Sequence, residues 1–271
     1  MFQRIYIEIS NICNLNCSFC DKNNRSPRKM TRVEFTHILD EINGFTEHIY
    51  LHVQGEPFMH PDLIFFLDEC LKHKLKVHLV TNGTLLSQVN PSIFHHPALV
   101  QLSISLHALV IKENDDNFMV LKEIVKQSES LKFSLFLRIW SFKDQTLYSI
   151  VNKLLDDYAP LNLENKRTRI KKNLFIDIED TFEWPNLNLP FQSSVGFCHG
   201  GSKMMAILSN GDISPCCLDA NGIINLGNIF NQSFKDTLES NRYQSFINGF
   251  KNKQCVEELC QKCSYRLRFN K

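Results

Sequence analysis

Apolar and polar residues alternate at the start of the chain: Phe2, Ile5, Ile7 and Ile9 mark a short run of period two and predict a strand. The period then lengthens. Val33, Phe35, Ile38, Leu39 and Ile42 recur at helical spacing behind Thr31, and Glu34 completes a capping box, so a helix is predicted to about residue 43, stopped by Gly44. The two periods keep alternating. Strands are predicted at 48–53, 76–81, 100–106, 133–140 and 173–178. Between them, a helix opened by His60-Pro61-Asp62 buries Leu63, Phe66, Leu67, Cys70 and Leu71. A further helix spans about 112–129, and another at 144–157 carries Leu147, Ile150, Val151, Leu154 and Leu155. Six strand–helix alternations imply an α/β fold with a parallel sheet, right-handed crossovers and active-site loops at the C-terminal edge of the strands.

Beyond residue 180 the pattern changes. Residues 181–197 are aromatic and proline-bearing without a period, and read as a linker passing near the active site. Residues 204–208, the turn Asn210-Gly211-Asp212 and residues 213–215 predict a β-hairpin, and 233–246 a helix. Two basic stretches, 22–29 and 166–172, have no period and read as solvated loops. The expected domains are a barrel over 1–180, the linker 181–197, and a small hairpin-plus-helix domain over 198–271.

At 271 residues the chain can hold one large α/β domain and an appendage. A net charge of +1 gives no electrostatic reason to expect nucleic acid or an anionic membrane as partner. No apolar run approaches the roughly 20 residues of a membrane span, and no signal peptide is evident, so a cytoplasmic location is expected. Ten cysteines there read as metal ligands before disulfides. Three lie near the N-terminus and six between 198 and 263, which suggests two metal-binding regions; Cys70 falls on a helix stripe and reads as core.

Cys13, Cys17 and Cys20 form a CxxxCxxC triplet just after the first strand. Three thiolates within eight residues can wrap an iron–sulfur cube, whereas a closed zinc site needs a fourth ligand that is not nearby. A partial zinc site, a redox pair or chance are the alternatives. With Phe19 before the last cysteine, the stretch resembles the signature of the radical S-adenosylmethionine (SAM) enzymes. The resemblance covers about residues 3–180. It implies a partial (β/α)6 TIM-like barrel and a [4Fe–4S] cluster whose open iron binds the amino and carboxylate groups of SAM.

Further motifs fit that likeness. Gly55-Glu56-Pro57, by itself a turn after the second strand, resembles the family's GEP motif at the SAM amino group. Thr81-Asn82-Gly83 reads as a turn capping the next helix, and also resembles a motif facing the ribose and methionine parts of SAM. Ser103 and Ser105 on the fourth strand resemble the Ser-hydrophobic-Asp motif and imply SAM contacts. His107 stands where many relatives carry aspartate; it reads as a ribose contact, as a catalytic base near pH 7, or as a solvent-facing loop residue. Arg138, charged within an apolar strand, either binds a carboxylate of SAM or substrate or reaches solvent from the strand end.

The later cysteines are Cys198, the pair Cys216 and Cys217, Cys255, and Cys260 with Cys263. Four of them could bind zinc or an iron–sulfur cube, and spacing does not separate the two. With the Asn-Gly-Asp hairpin and Leu226-Gly227-Asn228-Ile229, they resemble the SPASM/twitch extensions of radical SAM enzymes. That likeness implies a second, auxiliary [4Fe–4S] cluster held by Cys198, Cys216, Cys260 and Cys263, with Cys217 and Cys255 as spares that could replace a neighbour.

The implied activity is reductive cleavage of SAM and hydrogen abstraction from a substrate. An electron donor of the flavodoxin or ferredoxin type is implied, and four auxiliary thiolates favour a two-electron oxidation. The substrate class is a small molecule or a peptide, and a first strand beginning near residue 3 tilts the expectation toward a small molecule. RNA modification, resting on the two basic stretches, and a non-catalytic iron–sulfur or zinc protein are the rival readings.

Overall fold

The computed structural model describes residues 1–21, 24–108, 115–140, 145–155 and 166–269, without the side chains of 145–148. In chain order the elements are β1 (Arg4–Ile7), α1 (Arg32–Glu41), β2 (His48–Tyr50), α2 (Leu63–Lys72), β3 (Lys76–Thr81) and β4 (Leu99–Ser105). There follow α3 (Asp116–Lys126), β5 (Ser134–Trp140), α4 (Gln145–Leu154), β6 (Arg167–Lys171) and β7 (Leu174–Glu179). The last are β8 (Met204–Ile207), β9 (Ile213–Ser214), α5 (Phe234–Glu239), α6 (Asn241–Lys251) and α7 (Glu258–Gln261). Packing divides the chain into one unit of Met1–Gly55, Lys72–Leu75 and Phe182–Lys271, and another of Glu56–Leu71 and Lys76–Thr181.

In the first unit β1 lies between β2 and β8, parallel to both, and β9 runs antiparallel along β8. Period two sends Ile5, Ile7 and Ile9 to one face of β1 and its continuation, and all three are buried, as are Phe35, Ile38, Leu39 and Ile42 of the α1 segment. The Thr31–Glu34 capping box forms as expected. Val33 does not join the stripe: it is 80% exposed, because at about 100° per residue it sits roughly 160° from Phe35. Leu71 is likewise exposed, at the edge of the α2 stripe. The hairpin of β8 and β9 turns through Gly211 at φ +87, as Asn210-Gly211-Asp212 predicts. The single helix expected over 233–246 is two, broken at Ser240, whose extended backbone ends α5 and whose hydroxyl accepts from Tyr243 N to open α6.

In the second unit the strand order is β6-β7-β5-β4-β3, with β3, β4, β5 and β7 parallel. The registers Val80↔Ser103, Ser103↔Phe136, Ser105↔Arg138 and Arg138↔Asp177 put His78, Gln101, Ser103, Ser105, Arg138 and Asp177 on one face. The opposite face carries Val77, Leu79, Leu102, Ile104, Leu135, Leu137, Ile139, Leu174 and Ile176, all buried. One face is thus built for helices to cover and the other to present polar groups. The basic run 166–172 forms strand β6, antiparallel to β7, and not a loop. Its charges suit a sheet edge: Arg167 makes a two-pronged pair with Asp177 at 2.6 and 2.8 Å, and Lys166 and Lys171 lie 3.5 and 3.7 Å from Asp180 and Glu129. The start of the helix expected over 112–129, part of 144–157 with the Leu147 side chain, and residues 22 and 23 of the first basic loop lie outside the described residues. Among the described residues no helix is long and apolar enough to cross a membrane.

Thr31→Ala removes the cap acceptor and should cost about 1 kcal/mol, lowering the urea midpoint at unchanged slope. Val33→Ala, at an exposed site, should stay within about 0.5 kcal/mol of wild type in the same titration.

Candidate metal and cofactor sites

The segment after β1 leaves the sheet as a closed loop. Asn11 N donates to Arg28 O at 3.2 Å, Arg28 N to Asn11 Oδ1 at 2.7 Å and Met30 N to Ile9 O at 2.8 Å, pinning the two ends together. The loop carries the first cysteine triplet. Cys13 and Cys20 are exposed and Cys17 half-buried; Leu15 N donates to Cys13 Sγ at 3.4 Å, and Cys20 N to Cys17 O at 3.2 Å. Loss of water around the Cys20 sulfur, then the nearby Cys17, Cys13 and Asp21, push its thiol up to about 11. At neutral pH it keeps its proton until a metal displaces it.

A buried carboxylate holds this loop in place. Glu8 accepts from Arg25 Nη2 at 2.6 Å, Ser209 N at 2.9 Å and Gln54 N at 3.3 Å. Arg25 also donates to Ala220 O at 2.8 Å, Asn24 N to Asn221 Oδ1 at 2.9 Å, and Trp184 Nε1 to Phe19 O at 3.0 Å. Gly55 closes against the same loop at φ +76, where a Cβ would stand 2.3 Å from Ser10 O and 2.9 Å from Ile12 O. Only glycine fits there.

The second unit holds the other expected cofactor residues. The Glu56 carboxylate is buried and accepts from Phe58 N at 3.0 Å, Thr81 Oγ1 at 2.8 Å and Asn82 N at 2.8 Å. Burial raises its pKa although these three donors pull it down. Glu56 therefore braces the turn after β3, with Pro57 at the first position of a short 3-10 turn. Ser103 and Ser105 share the polar face, and Ser105 lies opposite Arg138. Arg138 lies 4.7 Å over the Trp140 ring and makes a loose 3.4 Å contact with Glu179. Its side chain is 20% exposed, and among the described residues Glu179 is its carboxylate partner. Burial, then the Arg138 charge, push His107 down to about 4. The imidazole is neutral through the physiological range, which fits a hydrogen-bonding ring and departs from a base poised near pH 7.

The later cysteines gather around Cys198. Gly200 lies between Cys198 and Cys216: a Cβ on it would stand 3.6 Å from Cys216 Cβ and 3.7 Å from Cys198 Sγ, and its N–H donates to Cys198 Sγ at 3.4 Å. Burial raises Cys216 and Cys260 strongly, and in both cases Cys198 adds to the effect. Burial also raises Cys255 and Cys263, again with Cys198 adding. Cys217 acts on its neighbour Cys216 and on Tyr6 and Arg4, and packs beside the cluster of Tyr6, Val53, Ala206, Leu208 and Ala220. Of the two spares, Cys255 stands with the expected four and Cys217 is turned toward β1.

Both sets suit iron–sulfur clusters in their donor chemistry. Each is a set of cysteine thiols, the ligands such clusters take, and among the described residues no three Cys, His, Asp or Glu side chains converge as ligands of a single ion. At the first site Gln54 is buried with its Nε2 lacking any partner among the described residues while its Oε1 lies 3.4 Å from Cys20 Sγ. A ligating thiolate cannot donate, and rotating the amide end-for-end would turn that idle N–H toward the sulfur.

Residues 7–131 match the family model of the Radical SAM superfamily, and residues 198–264 that of SPASM, an iron-sulfur cluster-binding domain. The chain belongs to the radical SAM superfamily and carries a SPASM domain. Its fold is accordingly the family's unclosed, partial TIM-like barrel of parallel strands with a C-terminal SPASM domain. Membership brings a SAM-binding [4Fe–4S] cluster, an auxiliary cluster site and SAM itself. The chain is 26% identical over 121 residues to the 7-carboxy-7-deazaguanine synthase of Aquifex aeolicus, a match covering 45% of this chain and 51% of that protein. It spans about half or less of the length of the curated relatives it matches. Among solved structures, BtrN in complex with AdoMet and 2-DOIA aligns with a TM-score of 0.64 at 16% identity, covering 97% of this chain and 93% of BtrN. Streptococcus suis SuiB bound to the precursor peptide SuiA aligns with a TM-score of 0.61 at 17% identity, covering 98% of this chain and 72% of SuiB.

Sequence reading missed Glu8, Arg25, Gln54, Trp184 and the row of Tyr6, Tyr50 and His52, whose rings stand 4.8 to 5.8 Å apart. The alternation of β1 held the signal: its even positions, Arg4, Tyr6 and Glu8, face away from the isoleucines.

Arg25→Met leaves Glu8 as an unpaired buried charge and should cost about 3–5 kcal/mol. Adding Glu8→Gln to that variant should recover part of the loss, read as urea midpoints of the two variants side by side.

Proposed function

We propose that this radical SAM enzyme oxidises a small molecule or a peptide by two electrons, with an auxiliary [4Fe–4S] cluster on Cys198, Cys216, Cys260 and Cys263 as the electron acceptor. The observation behind this reading is the gathering of the other three thiols about Cys198, with Cys255 close by and Cys217 turned away. Four protein thiolates leave no iron for a substrate to ligate, which favours electron transfer over substrate binding at that site.

Cys13, Cys17 and Cys20 would hold the first cluster, leaving its fourth iron to the amino and carboxylate groups of SAM. When bound and reduced, by a donor of the flavodoxin or ferredoxin type, this pair supplies a 5′-deoxyadenosyl radical that takes a substrate hydrogen atom. The chain's own residues bind and orient. Gly55 lets the backbone approach the loop, Glu56 with Pro57 fixes the turn that presents Thr81 and Asn82, and Ser103 and Ser105 offer hydroxyls from the polar face. Neutral His107 would bond a ribose hydroxyl without adding charge. Arg138 holds Glu179 loosely enough to exchange it for a carboxylate of SAM or substrate. Likeness to both BtrN and SuiB keeps small molecules and peptides together as substrate classes. RNA is disfavoured, since Lys166, Arg167 and Lys171 already pair with carboxylates.

The test is an anaerobic iron and sulfide count, with 5′-deoxyadenosine assayed after reduction. Wild type should hold about eight irons and a Cys13→Ala/Cys17→Ala/Cys20→Ala variant about four, with 5′-deoxyadenosine formed by the former alone. A count of about four falling to none, with zinc present, would remove the electron acceptor and the oxidation with it.

A further inference from the structure

Arg266 lies three residues beyond the last cysteine and is one of the largest fully buried side chains, 1% exposed. Its guanidinium is pinned by backbone carbonyls: Nε donates to Cys260 O at 3.1 Å, Nη1 to Val195 O at 3.1 Å and Nη2 to Ser193 O at 2.8 Å. Among the described residues it has no carboxylate partner. The other deeply placed arginine, Arg25, has one in Glu8. An arginine cannot shed its proton to escape burial, so a charge held this way requires an anion nearby. Cysteines stand there instead. Its Nε bond to Cys260 O and its place three residues beyond Cys263 tie the guanidinium to the segment that carries the last two cysteines.

We propose that Arg266 is the fixed counter-charge of the auxiliary cluster, raising its reduction potential and so fitting it to accept an electron. The inference rests on the reading that these cysteines hold that cluster. Thiolate ligation makes such a centre anionic, and reduction adds one more negative charge. A cation locked beside it, shielded from water, stabilises the reduced form more than the oxidised one. Three carbonyls hold the guanidinium in position, so it does not have to reorganise when the electron arrives. The same bonds also strap Ser193 and Val195 to Cys260, and a purely structural role must be told apart from an electrostatic one.

Arg266→Lys and Arg266→Gln make the distinction, since both break the planar fork and one of them keeps the charge. The full chain is loaded with iron and sulfide, and each cluster's midpoint is read by EPR-monitored redox titration. The auxiliary signal is assigned from the Cys13→Ala/Cys17→Ala/Cys20→Ala variant. The expected result is an auxiliary midpoint moved to more negative potential in Arg266→Gln, closer to wild type in Arg266→Lys, with the first cluster unmoved in both. Loss of about four auxiliary irons in Arg266→Gln but not in Arg266→Lys would equally show a demand for charge. Equal midpoints in Arg266→Gln and wild type, equal shifts in both variants, or loss of the irons in both would leave a strap and overturn the proposal. Failure of the cluster reading itself would appear earlier, as a wild type with no auxiliary iron, and would take the proposal with it.

Discussion

A carboxylate without access to water must be met by donors, and Glu8 meets that requirement by collecting them from three distant parts of the chain. Arg25 comes from the cysteine loop, Gln54 from the segment after β2, and Ser209 from the hairpin turn after β8. Each of these partners stands next to something the chemistry requires. Arg25 fixes the returning arm of the loop, Gln54 sits against Cys20, and the turn after β8 leads into Cys216. The loop is otherwise polar and exposed, with little apolar surface to hold it. One buried charge thus does by hydrogen bonding what a core cannot do for an exposed metal loop. A neutral residue at position 8 would satisfy fewer of these partners, and the loss of any one partner leaves the charge exposed to desolvation.

The second unit solves a different problem with the same device. Glu56 takes donors from Phe58, Thr81 and Asn82, so the turns after β2 and β3 are bonded to each other before any ligand arrives. Preformed geometry of this kind lowers the ordering entropy that cofactor binding would otherwise have to overcome. The strands behind it gather their polar side chains on one face. Isoleucine, leucine and valine fill one face, while His78, Gln101, Ser103, Ser105, Arg138 and Asp177 stand on the other beside Val80, Phe136 and Phe175. A barrel interior that must orient a charged cofactor needs that polarity, and the covered outer face supplies the stability.

Local periodicity carried most of the strands and helices, because burial of a strand face or helix stripe is written in every second or every third to fourth residue. It failed where charge or a single residue decided the outcome. β6 reads as a solvated run because its stabilisation comes from Asp177, Asp180 and Glu129, which lie elsewhere in the sequence. Ser240 breaks a helix that periodicity continues, since its hydroxyl caps the next one. The cysteine spacings announced two metal regions, but spacing could not tell Cys216 from Cys217. Adjacent side chains point different ways, and Cys217 packs beside the cluster around Tyr6. Glu8 and Arg266 were illegible for a related reason: a buried charge is recognised by its partners, and theirs are backbone and side-chain groups up to 201 residues away.

The two cysteine sets differ in exposure in a way that suits different tasks. A cluster that must bind and release SAM has to be open to it, and Cys13 and Cys20 stand exposed on their loop. A centre that exchanges nothing but an electron gains from burial, because the low dielectric amplifies the influence of every nearby charge on its potential. The later cysteines are half-buried or buried, and the Arg266 guanidinium bonded to Cys260 O has no carboxylate partner among the described residues. Had the site been meant for a substrate ligand, a wet and accessible edge would be needed, together with a missing thiolate. On the proposed reading, half-buried and buried thiols with the Arg266 guanidinium bonded to Cys260 O make the opposite arrangement: a closed centre whose potential is set by the protein around it.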